Sequence, residues 1–122
     1  MDNRFEITFE GNYIKVISDG EKDYDFLERQ WSEIAAACKQ YDCRRVLGVA
    51  HTTKPVEAVE GYEVSRIFRD LEFTQEYRLA WVEHNAEGKD IVEFIEAVLT
   101  NRGLPGRSFD SEAEALEWLL SD

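Results

Sequence analysis

Basic residues are few: 14 Lys and Arg stand against 26 Asp and Glu in 122 residues, a formal net charge of -12. Such a surplus repels phosphate backbones and anionic membrane surfaces at long range, so neither nucleic acid nor a membrane is an expected partner. No apolar run approaches the ~20 residues that a membrane-crossing helix needs, and the start, MDNRFEITFE, has neither the basic beginning nor the apolar run of a signal peptide. The expected location is the cytoplasm. Cysteine is scarce too. Cys38 falls on the inner stripe of an expected helix and Cys43 just before an expected strand, and a lone pair is no disulfide framework. A metal or redox pair would want the tighter Cys-x-x-Cys spacing and further ligands nearby, so both are read as reduced structural thiols. Also absent are a Gly-x-Ser-x-Gly elbow, a Walker loop, a Gly-x-Gly-x-x-Gly turn after a strand and a His-Glu-x-x-His helix. No cofactor is therefore expected, and no enzyme.

What the chain does have is apolar material. Hydrophobic residues make up 43%, with seven Phe, five Tyr and three Trp, enough for one core and one domain spanning residues 1–122. Tyr77 to Asn85, YRLAWVEHN, is apolar in both alternating sets, Tyr77, Leu79 and Trp81 in one and Ala80 and Val82 in the other. A strand of that kind is covered on both faces, and it is read as the central strand of a mostly parallel sheet.

Before it, Arg4 to Glu10 alternates Phe5, Ile7 and Phe9 with Glu6, Thr8 and Glu10. This predicts a strand with one dry face, and Gly11 and Asn12 turn it into an antiparallel return over Tyr13 to Ser18. The acidic residues Glu21, Asp23, Asp25 and Glu28 suit the start of a helix whose stripe is Leu27, Trp31, Ile34, Ala35 and Cys38. A short buried strand, VLGVA, follows, in which Gly48 allows a close approach. HTTKP is read as a polar loop, with Pro55 in the first turn of a second helix carrying Val56, Val59, Val64, Ile67, Phe68 and Leu71. A third helix carries Ile91, Val92, Ile95, Val98 and Leu99 and ends at Asn101-Arg102-Gly103. A last strand, Gly106 to Phe109, leads to a helix with a Ser111/Glu114 capping box.

The order is β-β-α-β-α-β-α-β-α. If neighbours in sequence are neighbours in the sheet, right-handed crossovers put every crossover helix, those of Leu27, Ile67 and Ile95, on one face. The other face then needs a partner or aromatic cover, for which Phe5, Phe9, Tyr13, Tyr77 and Trp81 are candidates. Tyr77 and Trp81 are the expected interface of a homodimer, since exposed apolar patches mark contact surfaces and small domains most often pair symmetrically.

The opening hairpin FEITFEGNYIKVISDG, the strands RRVLGVA and YRLAWVE and the closing RSFDSEAEALEWL together resemble the SpoIIAA-like (STAS/SEC14-type) family of small bacterial domains. The resemblance covers nearly the whole chain. It implies a superhelix of β-α units whose general role is protein-protein regulation, as in anti-sigma-factor antagonists. In those antagonists a serine in an Asp-Ser-Ser-Gly motif, after the strand matching Val46 to Ala50, is phosphorylated. Here the place is taken by His51-Thr52-Thr53-Lys54-Pro55, so only hydroxyl residues survive. Thr52 or Thr53 is the candidate switch, because phosphate at a helix N-terminus meets free N-H groups; the plainer alternative is a threonine N-cap.

The working edge expected from these readings comprises His51, Thr52, Thr53, His84 and Asp110, where open α/β sheets commonly bind ligands. Two alternatives stand beside the regulatory reading. His51, Glu83, His84 and Asp110 could together hold a divalent metal. The SEC14 side of the resemblance implies a lipid or small apolar ligand between sheet and helices around Trp31, Phe68 and Trp81, and a pocket of at least roughly 300 Å³ would favour it.

Overall fold

The structure, a computed structural model, describes residues 3–121. A hairpin of β1 (Asn3–Phe9) and β2 (Ile14–Glu21) opens the chain, turning at Gly11 with φ +98° and closed by Glu10 N-H donating to Tyr13 O at 2.8 Å. After it come α1 (Tyr24–Tyr41), β3 (Arg45–Lys54), α2 (Ala58–Asp70), β4 (Arg78–Glu83), α3 (Ala86–Asn101), β5 (Arg107–Phe109) and α4 (Glu112–Leu119). The five strands lie in sequence order, with β1 antiparallel to β2 and every later pair parallel.

Because each strand is laid beside the one before it, crossovers of the same hand carry their helices to the same face. On that face Leu27, Trp31 and Ile34 of α1, Val64, Ile67 and Phe68 of α2 and Leu99 of α3 bury Ile14, Val16, Val46 and Leu79 of the strands. The three crossover helices thus share one face as expected, and the fourth helix lies on the other. It precedes no further strand, so no crossover constrains it, and Ala115 and Leu119 pack on Leu47, Val49, Ala80 and Val82 across the sheet. Local chemistry starts both end helices: Asp23 caps α1 by accepting from Phe26 N-H at 2.8 Å, and Ser111 caps α4 by accepting from Glu114 N-H at 3.2 Å.

Four sequence expectations change. The middle strand is β3, with β4 between β3 and β5. HTT is strand rather than loop: β2 runs on to Glu21, so β3 finds partners as far as Lys54. Helix α2 begins at Ala58, which leaves buried Val56 ahead of it and Val59 70% exposed on its outside. The aromatic cover is mostly elsewhere. Phe5 meets Phe26, Tyr77 meets Phe73 and Trp81 meets Trp31, all on the α1–α3 side, while Phe9 stacks on exposed Tyr41. Of the five rings, only Tyr13 packs with the α4 cluster. Trp81 faces the helices because Gly48 beside it on β3 has no side chain; a Cβ there would stand 1.9 Å from the Trp81 ring. Helix α4 covers β3, β4 and β5. The remaining part of that face, over β1 and β2, carries Arg4, Glu6, Thr8, Lys15, Ile17 and Asp19, which is polar apart from Ile17. Among the described residues no helix is long and apolar enough to cross a membrane.

Candidate functional site

The parallel strands end along one edge, and the two-residue alternation of a strand divides the residues there between two faces. Glu83 ends β4 in the set of Leu79 and Trp81, so it points to the α1–α3 side; His84, next in the chain, points the other way. The same alternation in β3 sends Thr52 to the helix side with Val46 and Ala50, and His51 to the α4 side with Leu47 and Val49.

On the helix side the polar groups are consumed internally. Glu83, 5% exposed, accepts from Thr52 N-H at 2.9 Å, from Asn85 N-H at 3.1 Å and from the Thr52 hydroxyl. Asn85 caps α3 by accepting from Glu87 N-H at 3.0 Å and returns its amide to Thr52 O. A Cβ on Gly88, in the first turn of α3, would lie 2.7 Å from the Glu83 carboxyl carbon, so glycine there makes the room this carboxylate occupies. Lys22, just past β2, donates to the Ser18 hydroxyl and lies over the Phe26 ring, 4.6 Å from its centre. Burial pushes the Lys22 ammonium down from its ordinary 10.5 to about 8, against the opposing pull of the Glu83 and Asp19 carboxylates.

On the other side the register pairs Asp19 with His51 and brings His84 alongside, so three polar residues cross the sheet in a row. The imidazoles stack with centres 4.8 Å apart and planes 17° from parallel, and His51 Nδ1 stands 3.4 Å from Asp19 Oδ1. Both histidines are exposed. Thr53 lies next to them at a register slip: Gly20 pairs with Thr52 and Glu21 with Lys54, which leaves Thr53 unpaired on β2 and open to solvent. Bulges of this kind recur beside binding sites, where they re-aim a side chain.

The expected edge residues are thus only partly assembled. His51 and His84 share the exposed side, and Thr53 is exposed at the register slip just beyond His51 in β3. Thr52, 3% exposed with its hydroxyl committed to Glu83, is removed from it and caps no helix; the N-cap of α2 is Glu57, without a side-chain hydrogen bond. Asp110 lies apart, paired with Lys89 at 3.1 Å. Glu83 cannot join the histidines in a metal site, since the sheet separates them, and among the described residues no three His, Cys, Asp or Glu side chains gather as metal ligands. Tyr77 and Trp81 lie on the helix-covered face, so the aromatic patch that motivated a homodimer is not on the open one. Cys38 is buried, and burial pushes its thiol up to about 12; Cys43 is half-buried with its thiol toward Arg45 O.

The rings around which a ligand was expected, Trp31, Phe68 and Trp81, do line a cleft between the sheet and α1–α3, of about 100 Å³. That is below the roughly 300 Å³ at which pockets for drug-sized ligands begin, so a lipid tail does not fit as the structure stands. Sequence reasoning passed over two residues of its wall, Gln30 and Lys22, and over Asp19 in the histidine row on the other side of the sheet. The signal for Gln30 was available, since it falls between Leu27 and Trp31 on the apolar stripe of α1.

No protein-family model matches the chain, and no curated protein does. Among solved structures it is similar to the crystal structure of an uncharacterized protein of the DUF3478 family, with a SpoIIAA-like fold, from Shewanella loihica PV-4. The match covers 96% of this chain and 94% of that one, with a TM-score of 0.55 and 11% identity. The fold is therefore SpoIIAA-like, as the sequence resemblance implied.

Proposed function

We propose that the protein is a non-enzymatic regulatory or interaction domain that meets a protein partner at the strand-end edge, on the side carrying Asp19, His51, Thr53 and His84. The observation behind this reading is the stacked histidine pair. Two imidazoles lie exposed and side by side in a row with Asp19, with no core to fill and no buried group to satisfy. Polar side chains free of structural duty, at the edge where open α/β sheets bind, are available to an incoming surface. A second copy of the chain is one such partner. The SpoIIAA-like fold is compatible with this role and names no partner for it.

Thr53 is where a change of charge would be felt, because it is exposed at the bulge and close in the chain to His51. In the test, partner captured from an extract of the source cells is titrated against wild-type protein, His51→Ala/His84→Ala and Thr53→Glu. Both variants should weaken binding roughly tenfold or more while leaving stability within about 1 kcal/mol, as surface changes do. If the purified wild type instead hydrolyses a substrate or holds a metal, and the histidine variant loses that property, an enzyme reading replaces this one.

A further inference from the structure

Gln30 lies on the inner stripe of α1, 1% exposed, and lines the cleft between the sheet and α1–α3. Neither its Nε2 nor its Oε1 has a hydrogen-bond partner among the described residues. A buried amide left that way loses the hydration of two N-H donors and a carbonyl acceptor with no return, a cost that native interiors rarely carry. Around it the cleft is apolar, with Trp31, Phe68, Trp81 and Ile95 in its walls. A mainly apolar cleft with an unpartnered two-way polar side chain in its wall is the arrangement by which small-molecule sites fix orientation.

We propose that this cleft binds a small, neutral, mainly apolar molecule ending in a carboxamide-type group, whose carbonyl accepts from Gln30 Nε2 and whose N-H donates to Gln30 Oε1. This goes beyond the strand-end surface and does not depend on it. The neutrality follows from the charges nearby. Two cations border the cleft: the Arg107 guanidinium lies over the Phe109 and Trp118 rings of the α4 side, 5.3 and 5.6 Å from their centres, and the charge of Lys22 is opposed by the carboxylate of Glu83 on the same wall, with Glu96 also in the lining and a chain that as a whole carries -12. An anionic end group would meet no uncompensated positive charge there. The lowered affinity of Lys22 for its proton is consistent with a site that favours neutral groups. The volume of about 100 Å³ limits the ligand to a short branched or cyclic body rather than a chain lipid.

The probes are isovaleramide, its acceptor-only isostere methyl isobutyl ketone, isovalerate and xenon, each titrated into the full chain while the methyl resonances of Ile91, Ile95 and Leu99 and the Gln30 side-chain amide are followed by NMR. Isovaleramide should shift all of them saturably and bind roughly tenfold or more tightly than the ketone, which cannot donate to Oε1. Gln30→Leu should lose that preference while its thermal midpoint stays level or rises, since it replaces an unpartnered amide by an apolar group of similar size. Should the variant fail to fold, the ratio of amide to ketone on wild-type protein still decides. Xenon shifting the methyls while isovaleramide does not would make the cleft a plain apolar void and overturn the proposal. Equal affinity for amide and ketone, or tighter binding of isovalerate, would overturn it too.

Discussion

Glu83 and His84 are adjacent in the chain, yet one is 5% exposed and triply hydrogen-bonded while the other lies open to solvent beside His51. Thr52 and Thr53 divide in the same way. Sequence spacing places Glu83 and His84 at the end of a strand and reads Thr52 and Thr53 as the loop after one, so it assigns none of them a face, and the switch candidates Thr52 and Thr53 could not be told apart from sequence. Lys22 yields a prediction at this scale. Its folded pKa of about 8 lies below the ordinary 10.5, so between those values the unfolded chain binds more protons at this site than the folded one. Stability contributed by the group must then rise with pH across that window, as the burial cost of the ammonium disappears. The difference in unfolding free energy between wild type and Lys22→Met, from urea titrations at several pH values, should move in favour of wild type from about pH 8 to 10.5. A difference that is flat, or that falls, contradicts this account of Lys22.

At the scale of elements, α1 organises the larger core. Its Trp31 ring lies 4.6 Å from Phe68, 5.8 Å from Phe73 and 5.2 Å from Trp81, joining the helix to α2, to the segment before β4 and to the sheet. Trp31→Ala leaves a cavity between three elements and should lower stability by roughly 3 to 5 kcal/mol; chemical denaturation close to that of wild type would show that this junction is not the centre of the core. The stripe of α1 was readable in advance, because a helix with one wet face leaves a clean period, and Leu27, Trp31, Ile34, Ala35 and Cys38 are all buried. Two elements were not readable. Val56 and Val59 fit one stripe on paper, but α2 starts only at Ala58, so the first valine is buried from an extended segment and the second is in solvent. In β4 both sets are apolar, so nothing in its own sequence tells which set meets the large helices. Gly48, on the next strand, decides it by leaving room for Trp81 on the helix side.

Over the whole molecule, the crossover faces followed from handedness once the strands lie in sequence order, an order that the sequence offered only as a condition, and the sheet is covered unevenly as a result. Three helices close one face; α4 covers β3, β4 and β5 on the other and leaves β1 and β2 with a polar surface that runs into the Asp19, His51 and His84 row. That continuity makes one side of one edge the central claim. It is tested most directly by placing a photo-crosslinking residue singly at Thr53, at His84 and, as a control, at exposed Glu33 on the outer side of α1, and irradiating living source cells. The account predicts one shared adduct from positions 53 and 84, a second copy of the chain included, which Glu33 does not give and which the His51→Ala change weakens. Adducts from Glu33 equal to those from positions 53 and 84, or none from either edge position, would contradict it.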